Sequence, residues 1–206
     1  MPRNLAKCRK CRRENTKLFL KGERCHTQKC AIVRRNTAPG KGKAARMSKL
    51  SEFGKQLREK QKAKRIFGIS EKVFRNYYES ASQRKGLTGN NILTLLEMRL
   101  DNVVFRAGFA DSRAQARQMV SHAVFEIDGK KVDIPSIFLK MGAKVTLREK
   151  HAAHPVVAKL ADRKFAPPKW MKVDMKKKEI EILRFPESDE LERSIEINLI
   201  VEFYSR

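Results

Sequence analysis

The sequence has no long apolar run. Nothing in it approaches the roughly 18 consecutive apolar residues of a membrane-spanning helix. The charged stretch Met1 to Arg13 is not followed by the apolar core of a secretory signal. A membrane protein is therefore not expected, and a reducing, cytoplasmic compartment is. Acidic residues are also short: 23 Asp and Glu stand against 47 Lys and Arg, a net charge of +24 over 206 residues. A chain so unbalanced repels itself unless a polyanion neutralises it, and nucleic acid is the common one. Histidine is scarce, at four: His26, His122, His151 and His154. The last two make an HxxH pair with no third ligand nearby, which reads as a solvated loop. Gly86, Gly89 and Gly108 fit no phosphate-cradling motif, and no serine sits in a nucleophile elbow. No catalytic residue is expected. Cysteine is the last scarcity, at four, all within the first 30 residues. Hydrophobic residues at 41% and aromatics at 7% allow a modest core in one medium domain or two small ones.

The charge is unevenly spread. Residues 1–65 hold 22 Lys and Arg against Glu14, Glu23, Glu52 and Glu59, a net of +18. Residues 179–202 reverse the sign, with eight acids against Arg184 and Arg193. The first part should meet phosphates. The C-terminal stretch should face water or a protein partner, and its acidic 187–192 part a protein neighbour, because it would repel RNA.

Residues 1–46 read as a basic arm with no hydrophobic period, ending in a Pro/Gly loop over 37–43. The spacing predicts a helix over 48–67, terminated by Gly68, with Leu50, Phe53 and Leu57 on one face. Lys55, Arg58, Lys62 and Arg65 follow at i, i+3, i+7 and i+10, one basic face. A second helix is predicted over 70–85, with Val73, Phe74, Tyr77, Tyr78 and Ala81 as core. One continuous helix is predicted over 90–107, ended by Gly108. Ser112 and Gln115 form a capping box that opens a helix to about Ser121. Ala116, Met119 and Val120 face inward, and Arg113 and Arg117 outward. From Val124 the period becomes two. Asp128-Gly129 between two such runs predicts a hairpin of 124–127 with 130–134. Further strands are expected at 144–148, 169–174, 178–184 and 199–204, and a short helix at 155–163. The class is α+β.

Cys8-x-x-Cys11 is followed by Cys25 and Cys30. Paired cysteines on short loops suit tetrahedral Zn²⁺, since thiolate sulfur is its preferred soft ligand. In a reducing compartment disulfides and free thiols are the weaker alternatives. One structural zinc ion, held by Cys8, Cys11, Cys25 and Cys30, is the expectation. His26 could replace a thiolate, but four cysteines already fill the shell.

Three stretches carry a resemblance. Residues 51–62 (SEFGKQLREKQK), 100–106 with 112–118 (LDNVVFR and SRAQARQ) and 201–206 (VEFYSR) are similar to the bacterial small-subunit ribosomal protein number four, in its zinc-bearing form. The two-helix signature alone also resembles a module found in pseudouridine synthases, tyrosyl-tRNA synthetases and a heat-shock protein. The matches near both ends favour the ribosomal family. The resemblance implies three parts: a basic zinc-bearing arm over 1–46, a helical domain over 47–91 with 196–206, and an inserted two-helix and antiparallel-sheet RNA-binding module over 92–195. It implies primary binding to small-subunit ribosomal RNA at a multi-helix junction, nucleating assembly. It further implies contact with neighbouring small-subunit proteins, notably number five, a place where mRNA enters, a part in translational accuracy, and autoregulatory mRNA binding. The residues expected at RNA are Arg46, Lys49, Lys55, Arg58, Lys62, Arg65, Arg75, Arg106, Ser112, Arg113, Gln115, Arg117, Gln118 and His122. One departure stands out: the family has Gly after the histidine that ends the module's second helix, and here His122 is followed by Ala123. That puts the path into the hairpin in question. Two rivals remain. An RNA-modifying enzyme or chaperone carrying the same module would need a separate catalytic domain, and a zinc-bearing DNA regulator would need a recognition helix near the cysteines.

Overall fold

The structure is a computed structural model, and it describes residues 6–40, 49–151 and 166–206. The 155–163 helix prediction and His154 lie outside the described residues. The chain divides into two compact units, residues 1–78 with 194–206 and residues 79–193.

In the first unit the arm is partly helical, contrary to expectation. Helix α1 spans Lys7–Glu14, a 3-10 turn spans Gly22–Cys25, and α2 spans Ala31–Arg34. The period was invisible because the buried apolar side chains are few: Cys11, Leu18, Cys25 and Cys30. Helix α3 (Glu52–Phe67) starts on Ser51, whose hydroxyl accepts from the Gly54 N–H at 3.1 Å, and ends on Gly68 at φ 66° as predicted. Its predicted apolar face is corrected: Leu50 and Phe53 are about half exposed, and Ala63, Ile66 and Phe67 are the buried apolar residues. Helix α4 spans Glu71–Ser82. Phe74 and Ala81 are fully buried as expected, while Val73 is exposed and Tyr77 and Tyr78 are half-buried.

The last element corrects the prediction of a strand over 199–204. Ile197–Tyr204 is a helix, labelled α8 here. A short apolar run cannot be assigned by period alone. Packing decides it. Gln56 donates to Glu202 at 2.9 Å, Phe53 and Phe203 lie 5.6 Å apart, and Tyr78 stacks on Tyr204 at 4.8 Å.

The Tyr204 hydroxyl donates to Glu71 Oε1 at 2.7 Å, and Lys60 and Lys64 also donate to that carboxylate, at 2.7 and 2.6 Å. Burial pushes Glu71 up, but these three bonds outweigh it and hold its pKa at about 2, against an ordinary 4.5. A depressed folded pKa gives stability that is present above the unfolded value and lost as pH falls through the folded one. Buried Glu14 in the same unit is pushed up instead, so its contribution has the opposite sign. Between pH 4.5 and 2, urea unfolding should therefore show wild type losing stability relative to Glu71→Gln. Parallel pH profiles for the two proteins would refute the assignment.

In the second unit α5 spans Thr88–Glu97, α6 Leu100–Arg106 and α7 Arg113–Ser121. The single helix predicted over 90–107 is thus two. Arg99 is extended, at φ −68° and ψ 140°. A distant segment holds the break open. The Leu100 N–H donates to the Ile137 carbonyl at 2.9 Å, the Leu139 N–H to Met98 at 3.0 Å, and Arg99 bridges Phe138 as an isolated strand pair. A partner some forty residues away leaves no mark on local periodicity. Gly89 lies buried in the first turn of α5.

The sheet contains β1 Phe125–Ile127, β2 Lys130–Val132, β3 Lys144–Leu147, β4 Met171–Asp174 and β5 Glu179–Ile182, in the order β2-β1-β3-β5-β4, all antiparallel. The hairpin turns where predicted, with Asp128 at φ 48° and Gly129 at φ 77°, the mirror-image turn that suits strand twist. Alternation puts Phe125, Val145, Leu147, Ile180 and Ile182 into one core with Val103, Val104, Met119, Val120 and Trp170. Thr146 and Glu181 alternate with them.

Helices α6 and α7 end in the same motif. After α6, Gly108 at φ 81° donates to Phe105 and Phe109 donates to Val104, at 3.0 and 3.1 Å. After α7, Ala123 at φ 53° donates to Val120 and Val124 donates to Met119, at 2.8 and 3.2 Å. The missing glycine therefore leaves the path unchanged and places an alanine in the left-handed region. Ala123→Gly should stabilise this unit by about 0.5–1 kcal/mol, by removing the Cβ clash. A raised urea midpoint is the expected reading, and a lowered one would sink the idea.

Candidate RNA interface and cysteine cluster

Helices α6 and α7 are joined by a buried ionic lattice. Glu97, at 1% exposure, accepts both forks of Arg106, Nε to Oε2 at 3.0 Å and Nη2 to Oε1 at 2.7 Å, and takes Asn102 Nδ2 at 2.6 Å. Arg113 Nε donates to Asn102 Oδ1 at 2.7 Å and its Nη2 to Glu192 at 2.9 Å, while its guanidinium lies 4.7 Å over Phe105. Burial works against the charge of Arg106, but Glu97 more than offsets it and raises the pKa. Arg117 reaches Asp101 at 3.7 Å. The sequence offered Arg106, Arg113 and Arg117 as cations, and missed Glu97, Asp101, Asn102 and Glu192 as the groups that hold them. Asp101 lies too far along the chain from its partner Arg117 to give an i,i+3 or i,i+4 pairing signal. Glu192 is 79 residues from Arg113.

The acidic stretch is therefore partly internal, which corrects the expectation that it faces a protein neighbour. Glu192 serves Arg113, and Glu190 accepts both Nη atoms of Arg184 at 2.8 and 2.9 Å. Glu187 and Asp189 are exposed.

The capping box forms with a shift. The Ser112 hydroxyl accepts from the Gln115 N–H at 3.3 Å, and Gln115 Oε1 accepts from Asp111 N at 2.6 Å, one residue before the cap. Gln118 on α7 and His122, the residue that caps its end, are exposed.

On α3 the predicted basic face is also committed. Arg58 donates to Glu14 Oε1 at 3.3 Å, and Arg65 donates to the same oxygen. Lys62 pairs with Glu59 at 3.0 Å and Lys55 with Glu52 at 2.7 Å. Glu14 is almost wholly buried, at 3% side-chain exposure. Burial pushes its carboxyl up, against the pull of Arg65 and Arg58. Lys49 and Arg75 are exposed. Arg46 lies outside the described residues.

The four cysteines line one cavity of about 20 Å³, shared with Lys7, Leu20, Lys21, Arg24, Ala31 and Ile32. That is room for one water-sized or ion-sized particle. None forms a disulfide, and Cys11, Cys25 and Cys30 are buried. Burial pushes the Cys11 thiol up, and its three cysteine neighbours push the same way. The donor chemistry suits a soft cation. Yet among the described residues no three His, Cys, Asp or Glu side chains form a group that could hold a metal ion as they stand.

A basic chain with an arginine-rich helix pair on an antiparallel sheet fits the class of nucleic-acid-binding modules. Two family matches agree: "Ribosomal protein S4/S9 N-terminal domain" over residues 4–97 and "S4 domain" over 98–145, the latter covering α6, α7 and the hairpin. The chain is 50% identical over 201 residues to the small ribosomal subunit protein uS4 of Natranaerobius thermophilus, covering 97% of this chain and 96% of that one. It is 50% identical over 202 residues to the uS4A protein of Alkaliphilus metalliredigens, covering 98% and 97%. The chain belongs to the uS4 family of small ribosomal subunit proteins. Among the described residues no helix is long and apolar enough to cross a membrane.

Proposed function

We propose that this chain is a structural constituent of the small ribosomal subunit that binds its ribosomal RNA at a multi-helix junction and nucleates assembly in the cytoplasm. The observation that carries the reading is the coincidence of the S4-domain match with the α6–α7 lattice. Structured RNA is recognised through fixed phosphates, 2′-hydroxyls and unpaired bases, and rigid cationic helices suit such a target. Within the lattice Arg106 and Arg113 set the angle of the helices. Arg117, Gln118 and His122 then present the face, with Ser112 and Gln115 holding the start of α7. Lys49, Lys55 and Arg75 supply exposed charge in the other unit. Arg58 and Arg65 keep α1 docked through Glu14, and with Lys62 they add to the local positive potential.

Contacts with neighbouring small-subunit proteins, notably number five, a place where mRNA enters, a part in accuracy and autoregulatory mRNA binding belong to the same reading. So does one structural Zn²⁺ on Cys8, Cys11, Cys25 and Cys30, which would cross-link an arm with little core of its own.

Chemical footprinting on naked small-subunit ribosomal RNA, at moderate salt with excess bulk tRNA, tests the central claim. Protections clustered at one junction are expected. Diffuse protection that tRNA abolishes would leave only a polyanion binder.

A further inference from the structure

Phe19 does two things a phenylalanine rarely does. It adopts φ 48°, in the left-handed region, and its side chain stays in solvent at 42% exposure. That backbone conformation costs an aromatic residue free energy, and such strain persists where the surroundings impose it, often at binding sites. Leu18 before it is buried at 3% exposure, so the chain turns one side chain in and the next out. The exposed ring is not isolated. It stacks on His26, with ring centroids 5.1 Å apart and planes 29° from parallel. His26 is itself exposed. Its ring is thus part of a two-ring surface on the arm.

The surroundings select what could lie on that surface. Lys17, Lys21, Arg24 and Lys29 are all exposed in the same short segment, against the single acid Glu23. An apolar protein side chain has no use for four flanking cations. An unpaired nucleobase has a π-face for the ring and phosphates on either side for the cations, the combination by which single-stranded segments are held.

We propose that the Phe19–His26 stack is a base-stacking platform. One unpaired base of the bound RNA lies on the exposed ring face, and Lys17, Lys21, Arg24 and Lys29 hold the adjoining phosphates. The proposal rests on the RNA-binding function above and adds to it a base-contacting site on the arm.

The test compares footprints and affinities of full-length wild type, Phe19→Leu, Phe19→Tyr and His26→Ala on small-subunit ribosomal RNA. Phe19→Leu keeps apolar bulk and removes the aromatic face. It should bind on the order of 5- to 100-fold more weakly and lose protection at one unpaired nucleotide, with the remaining protections intact. Phe19→Tyr should retain both, and His26→Ala should fall between. Where hydrogen exchange shows that Phe19→Leu has unfolded the arm, His26→Ala against Phe19→Tyr decides instead. Wild-type affinity and a complete footprint in Phe19→Leu and His26→Ala would overturn the platform and leave the RNA-binding function standing. Absence of any junction footprint with wild type would overturn both.

Discussion

Replacing Arg99 with alanine is expected to destabilise the second unit by about 3–5 kcal/mol. Arg99 is 2% exposed and Asp101 5%. The guanidinium grips the carboxylate with both forks, Nε to Oδ1 at 3.0 Å and Nη2 to Oδ2 at 2.7 Å. Removing the cation strands a buried carboxylate whose other ion-pair partner, Arg117, is 3.7 Å away. The cost is the desolvation of that unpaired charge, not the net worth of the pair, which is smaller. The same residue also stands at the break between α5 and α6, so the loss should reach the whole α6–α7 arrangement. Urea unfolding followed by Trp170 fluorescence reports on this unit alone, because Trp170 is the only tryptophan and sits in its core. The exposed Lys55–Glu52 pair is the internal contrast: at 48% and 72% side-chain exposure it should contribute under about 0.5 kcal/mol. A loss below about 1 kcal/mol in Arg99→Ala would show that water reaches the buried pair.

The second large effect concerns the arm. Adding one equivalent of Zn²⁺ to the reduced chain is expected to slow hydrogen exchange across residues 7–34, and Co²⁺ in its place should give the thiolate charge-transfer absorption of a tetrahedral sulfur site. Small thiolate sites bind structural zinc with an apparent 10–16 kcal/mol or so near neutral pH. The arm's own buried apolar side chains, Leu18 and three of the cysteines, supply far less than that. Serine at Cys11 or Cys25 should abolish the cobalt spectrum. Unchanged exchange on adding metal, with no cobalt–thiolate band, would reduce the cluster to a thiol-lined patch of core. The footprint on ribosomal RNA would then be tested without the metal.

Much of the candidate interface was legible residue by residue. The pairing of cysteines, the serine that caps α7, the Asp-Gly hairpin and the basic residues on α3 and α7 all follow from short-range chemistry. Each depends on neighbours within about one turn or one hairpin. What escaped was the partner of each cation. Arg113 was read as facing phosphate, yet its guanidinium is engaged by Glu192 and Asn102, and Arg58 and Arg65 converge on Glu14. A charge run along a helix gives the sign of a face. It does not say which acid elsewhere in the chain will be folded against it.

The same division explains the elements that were misread. The apolar run over 199–204 fits a strand or a helix equally well in isolation, and packing against α3 and α4 makes it the helix α8. The 90–107 segment has helical spacing throughout, and hydrogen bonds from the 135–139 segment break it at Arg99. The sequence by itself determined the polyanion-binding character, the α+β class, and most helix and strand positions, because charge, period and capping are local properties. Only the tertiary structure decided which arginines are held by buried acids, where the long helix divides, and that Phe19 and His26 meet. Those outcomes depend on groups brought together across many residues, where desolvation and packing outweigh local preference.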